Sequence, residues 1–310
     1  MAEIVYDKLA VIGCGLIGSS LVRAARAHGV ATRIVVADSS AAVRQRVVEL
    51  GIADEVFEDP AQAVAGADLV VLATPPGMIG EVAKACAAGL KLGATLTDVG
   101  SVKGSVGEAM AAAAPKGVFV VPGHPIAGTE FSGPDAGFAQ LFHDRWTILT
   151  PLASEAADGY EAAVTRLTAF WEGVGAKVEL MDERHHDLVL AVTSHLPHLI
   201  AYNIVGTAAD LEEVTQAEVM KYSAGGFRDF TRIAASDPVM WRDVFLLNKD
   251  AVLDVLARFT EDLQALSRAI RWAEGDKLHE LFTRTREIRT GVIALGQESA
   301  EPNFGRDRDR

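Results

Sequence analysis

Three glycines, Gly13, Gly15 and Gly18, stand in the run VIGCGLIG at residues 11–18. Their spacing suits a strand-to-helix turn around a pyrophosphate. The first allows the tight turn, the second lets backbone come close to the phosphates, and the third lets the helix pack on the sheet. Leu16 and Ile17 open that helix, whose N-terminal N–H groups face the phosphate charge. Twenty residues beyond Gly18, Asp38 offers a carboxylate to the adenosine ribose, which favours NAD over a 2′-phosphorylated cofactor. Ser39 and Ser40 beside it could accommodate either. A bare glycine turn would occur in unrelated α/β proteins, but strand, helix and Asp38 together point to dinucleotide binding.

In an open parallel sheet, ligands sit beyond the carboxyl ends of the strands. Three such places carry chemistry: Thr74 and Pro75, the run DVGSVK at 98–103, and the run GHPIAGTE at 123–130. His124 lies between two prolines and two glycines, so little bulk surrounds a ring suited to proton transfer near neutrality. Its alternative is a turn histidine bonded to backbone. Ser101 serves either as a hydrogen-bond partner of that ring or of a substrate hydroxyl, or as a helix cap. Asp98 and Lys103 read as having structural jobs as well.

In the second half, TSHLPH at 193–198 sets His195 and His198 three apart on one side of a Pro-bent helix, with Tyr202 continuing that side. A metal would need a third ligand that the sequence does not offer, so no metal site is expected. The pair reads as substrate contacts or as core histidines. The run GGFRDFTR at 225–232 brings two guanidiniums, Arg228 and Arg232, that either bind a carboxylate bidentately or pair with Asp229 and Asp237.

The elements that must hold these residues follow from periodicity. Short apolar runs at 9–12, 34–37, 69–73, 95–99, 118–121 and 146–150 alternate with helical spacing at 19–28 and 41–50, and Gly29 and Gly51 close the latter. Runs this apolar suit strands buried on both faces, and the alternation predicts an α/β fold with a Rossmann-type doubly wound sheet. After 177–180 the pattern turns helical, with helices expected at 183–207, 213–224, around 230–233, 238–260, 261–273 and 275–295. Residues 1–181 thus form the expected NAD-binding domain, 182–296 an all-α domain, and 297–310 a flexible tail.

The chain has 310 residues and a formal net charge of −13, which disfavours a nucleic-acid partner. A small anionic substrate needs only one or two placed arginines. Cys14 and Cys86 make neither a metal spacing nor a secreted framework, and no leader or membrane-length uninterrupted apolar run stands out, so a cytoplasmic protein with no membrane partner is expected.

With these motifs in view, the chain resembles the prephenate/arogenate (cyclohexadienyl) dehydrogenase family over nearly its whole length. The resemblance is carried by VIGCGLIGSS, DVGSVK, GHPIAGTE, TSHLPH and GGFRDFTRIAASDPVMW in that order. It implies an NAD-dependent oxidative decarboxylation in which hydride leaves the ring carbon bearing the hydroxyl, carbon dioxide departs, and the ring becomes aromatic. It implies His124 as base, Ser101 as the partner bridging toward the nicotinamide, and Arg232 as the ligand of the ring carboxylate. His195 and His198 would reach the substrate from the helical domain, Gly225 would help bind it, Glu130 and Asp229 would gate or order the site, and two copies would pair through the helical domain. The resemblance thus assigns substrate binding and dimerisation to 182–296. No regulatory extension or mutase helix is expected, so tyrosine feedback would act at the active site. The rival readings are a two-domain β-hydroxy acid or imine dehydrogenase, which would use a helical lysine for proton transfer, and a non-catalytic NAD sensor.

Overall fold

A computed structural model describes residues 4–129, 131–152, 158–210 and 225–294 of the chain, with side chains to 291. The expected helix at 213–224, the tail at 297–310 and Glu130 lie outside the described residues. The chain divides into two compact units, Met1–Leu253 and Asp254–Arg310.

In the first unit the elements run β1 (Tyr6–Ile12), α1 (Leu16–His28), β2 (Ala31–Ala37), α2 (Ala41–Leu50), β3 (Glu55–Phe57), α3 (Pro60–Val64), β4 (Leu69–Leu72), α4 (Ile79–Cys86), β5 (Thr95–Asp98), α5 (Gly104–Ala113) and β6 (Phe119–Val120). The six strands form one parallel sheet in the order β3-β2-β1-β4-β5-β6. Alternate strand residues feed two cores. Leu9, Val11, Ile34, Val36, Leu69 and Val71 enter one, and Ala10, Ile12, Val35, Val70, Leu72 and Leu96 enter the other. β4 is apolar at every position, and β1 and β2 are apolar over their last four residues, because both faces are covered there.

The expected doubly wound sheet is present, with three differences. β3 escaped the sequence reading because it has three half-buried residues and no apolar run. The run at 146–150 does form a strand, β8 (Trp146–Leu149), but it leaves the main sheet: it pairs antiparallel with β7 (Gly123–Pro125) and parallel with β9 (Lys177–Leu180). Only 3₁₀ turns separate β7 from β8 among the described residues, whereas a parallel addition to the main sheet would need a crossover helix. The third difference is that His124, expected in a loop, stands on β7 opposite Ile148.

After α6 (Tyr160–Gly173) and β9 the described residues are helical. α7 (Glu183–Leu190) runs through a π-helical turn (Ala191–His195) into α8 (Leu196–Asp210), and α9 (Gly225–Thr231) and α10 (Pro238–Leu247) follow. The bend expected at Pro197 takes the form of the π turn, in which the Leu196 N–H reaches back to Ala191. The stretch expected as one helix over 238–260 breaks at Asn248, and α11 (Lys249–Arg271) continues through the break expected near 260. Trp241 and Val244 of α10 enter the second core beside Val102, Val106 and Leu152. The stretch Glu183–Asp210 is, by length and composition alone, apolar enough to cross a membrane. The second unit carries the rest of α11 and α12 (Gly275–Ala294).

One ion pair joins the pieces that carry the candidate chemistry. Lys103 is fully buried, and its Nζ donates to Asp98 Oδ2 at 2.5 Å and to the Gly123 carbonyl at 2.6 Å. The Asp98 carboxylate also accepts the Gly100 and Gly123 N–H groups at 2.8 and 3.1 Å. Removing one partner of a buried pair strands the other charge, at a cost of about 3–5 kcal/mol. Lys103→Met should therefore lose about that much stability in urea unfolding, and an unchanged midpoint would show that the pair does not hold these segments.

Candidate active site

The glycine turn connects β1 to α1. Gly13 has φ +94°, and a Cβ there would lie 2.6 Å from the Ala73 carbonyl oxygen, so the turn passes the end of β4 only with glycine. A Cβ at Gly18 would run into the Gly13 carbonyl, whereas nothing lies within 4 Å of the Cβ position at Gly15. Backbone is therefore open to a ligand at the one place where a pyrophosphate must come close. Asp38 is fastened to this turn: Oδ2 accepts the Cys14 N–H at 2.9 Å and Oδ1 the Ser40 N–H at 2.9 Å. Leu16 and Ile17 are half-buried, Pro75 is exposed, and the buried Thr74 hydroxyl meets no partner among the described residues. Burial pushes the Cys14 thiol up to about 12, so it stays protonated and inert.

The proton chemistry centres on His124. Its Nδ1 lies 2.9 Å from His186 Nε2, and His186 Nδ1 lies 2.8 Å from Asp187 Oδ1. The Asp187 carboxylate also accepts the Lys103 N–H at 2.8 Å and the Gly104 N–H at 2.9 Å, at the start of α5. Burial alone would raise its pKa, but these three donors hold it below the ordinary carboxylate value. An ionised Asp187 can only accept, so His186 carries its proton on Nδ1 and presents a lone pair at Nε2. His124 then donates from Nδ1 and keeps a lone pair at Nε2, which bonds no described residue. Burial, with His186, Lys103 and His195 nearby, holds the His124 pKa well below its ordinary value. At neutral pH the ring is an uncharged proton acceptor with its tautomer set by a carboxylate two links away.

A second group surrounds Trp241. The His198 ring stacks on the indole with centroids 3.6 Å apart, and its Nδ1 donates to the Ser194 carbonyl at 2.8 Å. The His195 ring meets the same indole edge-on at 6.1 Å. Burial lowers the His198 pKa, and the charge of nearby Arg232 lowers it further. Burial also lowers the His195 pKa to about 4, and the Ser101 backbone faces that ring.

Comparison with known proteins decides the family. Residues 21–180 match the family model for the prephenate dehydrogenase nucleotide-binding domain, and residues 182–284 match that for the prephenate dehydrogenase dimerization domain. A cyclohexadienyl dehydrogenase of Zymomonas mobilis is 44% identical over 93% of this chain and 97% of its own length. This chain belongs to the prephenate dehydrogenase family. A prephenate dehydrogenase of Bacillus subtilis is 32% identical over 96% of this chain and 79% of its own. The Aquifex aeolicus prephenate dehydrogenase structure, in complex with hydroxyphenyl propionate and NAD+, superposes with a TM-score of 0.85 at 33% identity. It covers 92% of this chain and 98% of its own.

Of the residues singled out in this prephenate dehydrogenase homologue, the structure gathers His124, His195 and the Ser101 backbone around one buried cluster and His198 with Arg232 beside it. Arg232, Asp229 and Gly225 are exposed, the last two on α9. Gly13, Gly15, Gly18 and Asp38 form the separate cofactor turn. Sequence reasoning missed His186, Asp187, Trp241 and Asn248. His186 and Asp187 look like ordinary first-turn residues after the Asp182 cap, and only their complete or partial burial marks them out. Trp241 ends the run GGFRDFTRIAASDPVMW, where nothing local tells it from an ordinary core indole.

The buried imidazoles make stability pH-dependent. Their folded pKa values are depressed, so the unfolded chain binds protons that the folded chain refuses. Stability present above about pH 6.5 is then lost as pH falls below it, toward the His195 value near 4. Melting temperature should drop between pH 7 and 4.5, less steeply in His186→Gln; a flat profile would contradict the buried neutral cluster.

Proposed function

We propose that the chain is an NAD-dependent cyclohexadienyl dehydrogenase that converts prephenate, arogenate or both to 4-hydroxyphenylpyruvate or tyrosine by oxidative decarboxylation. The observation that carries this reading is the His124–His186–Asp187 chain, which leaves one unprotonated nitrogen on the His124 ring in a buried cluster with His195. The bounds of the family models at 180 and 182 support a nucleotide-binding part ending near 181 and a substrate-binding, dimerising part from 182 to 296.

The glycine turn fits a dinucleotide, since backbone is open at Gly15 and the Asp38 carboxylate stands at the end of β2. Gly13, Gly15, Leu16, Ile17 and Gly18 would hold the pyrophosphate, Asp38 the ribose, and Thr74, Pro75 and Ser101 the nicotinamide side. Bound NAD supplies the hydride acceptor. His124 Nε2 takes the proton of the ring hydroxyl as hydride leaves the same carbon, so the forming carbonyl draws on the oxygen electrons. Loss of the ring carboxylate as carbon dioxide then returns two electrons to the ring and yields a phenolate, to which His124 gives the proton back. Ser101 orients the hydroxyl, Arg232 binds the carboxylate, and His198, His195, Glu130, Asp229 and Gly225 order the rest of the substrate.

Turnover of prephenate and of arogenate with NAD, followed by NADH absorbance and by competition between the two, tests this directly; turnover of neither overturns it. His124→Asn should lower kcat by about 10²- to 10⁴-fold with little change in KM. Arg232→Ala should chiefly raise KM. Because the His124 pKa is depressed, kcat/KM should stay level as pH falls through about 6.5 and decline only below it.

The second unit exposes Leu263, Ile270, Trp272, Phe282 and Ile288, which suits burial against a second copy of the chain. Light scattering should give twice the 32.9 kDa chain mass. A monomer at micromolar concentration would remove the dimer.

A further inference from the structure

Asn248 stands at the break between α10 and α11 and is 5% exposed. Its side-chain Nδ2 donates to the Asp187 backbone carbonyl at 2.8 Å and lies 3.1 Å from His195 Nδ1. The amide orientation is settled by the first contact: a backbone carbonyl only accepts, and a flipped amide would set oxygen against oxygen. Both amide protons are then committed outward, so His195 Nδ1 must be the acceptor. A neutral imidazole with a lone pair at Nδ1 carries its proton on Nε2. His195 has no solvent exposure, and its Nε2 closes no hydrogen bond of normal geometry among the described residues, although the Ser101 backbone faces the ring.

We propose that Asn248 is a positioning residue that locks His195 as an Nε2–H donor aimed at a carbonyl-type oxygen of the bound ligands beside Ser101. The two ends of the buried cluster then have opposite polarity. Asp187 makes His124 a proton acceptor through His186, while Asn248, hydrogen-bonded to the same residue's backbone, makes His195 a donor. A buried N–H that faces the Ser101 backbone without closing a hydrogen bond of normal geometry is poorly satisfied, so a ligand oxygen that completes the bond adds to binding. The oxygen belongs either to the nicotinamide carboxamide or to the substrate. This inference rests on the dehydrogenase reading for what binds, though not for the state of the ring.

The test is nitrogen NMR of protein labelled at histidine, with His195 assigned by a His195→Gln variant. In the wild-type protein without ligand, His195 should show the Nε2–H tautomer, and that N–H should shift on adding NAD alone or only when substrate analogue joins it. In Asn248→Asp, at about pH 8.5 where the ring stays neutral, a carboxylate replaces the donor and the proton should move to Nδ1. The same variant should lose about 10- to 100-fold in NAD affinity if the cofactor supplies the oxygen, or in kcat/KM for prephenate at saturating NAD if the substrate does. An Nδ1–H tautomer in the wild type overturns the proposal, as does a switched tautomer with both affinity and kcat/KM intact. The wild-type spectrum decides even if the variant does not fold. Failure to turn over prephenate leaves the tautomer measurement standing and so separates the two readings.

Discussion

A lysine with no contact with water is tolerated here because its ammonium meets a carboxylate and a backbone carbonyl, while that carboxylate meets two further backbone donors. Such a pair is stabilising only when hydrogen bonds complete it, since desolvation of both ions otherwise outweighs their attraction. What it yields is geometry. Asp98 ends a strand of the main sheet, Gly123 begins a strand of the second sheet, and Lys103 closes the loop bearing Ser101. Three segments from separate elements are thereby fixed against one another, and His124 follows Gly123 directly. The same lysine's backbone N–H and that of Gly104 then receive the Asp187 carboxylate, which joins the first helix of the helical part to the nucleotide-binding part.

Among the described residues, charge inside the cluster is limited to Asp187 and the Asp98–Lys103 pair, while the imidazoles remain neutral. Burial lowers the pKa of each of them, and Asp187 only partly offsets this for His186 and His195. A neutral ring is what a proton acceptor must be before it acts. Once it has taken a proton, the His186–Asp187 chain gives the new charge a counter-ion within two hydrogen bonds. The depressed pKa of His124 describes the site without substrate; a bound anionic substrate would raise its affinity for a proton.

Sequence carried the fold where periodicity was unambiguous. The strands β1, β2 and β4 and the glycine turn follow from runs of apolar residues and their punctuation, because the part of each strand covered on both faces has no polar position to confuse the pattern. The second sheet was harder. β8 is as apolar as its neighbours, and nothing local tells a strand which sheet it will join; that depends on whether a crossover helix precedes it. Among site residues, His124 and Ser101 were legible because glycine and proline surround them or because they follow a strand. His186 and Asn248 were not. Each is a polar residue at a helix end, where polar residues are common, and its partner lies 62 or 53 positions away in the chain.

The π turn at Ala191–His195 fits one residue more into its length than an α-helix would. Were the same residues wound as an unbroken α-helix, the extra residue would swing everything on one side of it by about 100° about the axis. His186 and Asp187 precede the turn, and His195 and His198 close or follow it, so the two groups would no longer face the same cluster. The wide turn is thus what brings the two groups to one cluster, and a change that restored regular α-helical winding with the same residues would part them without touching either.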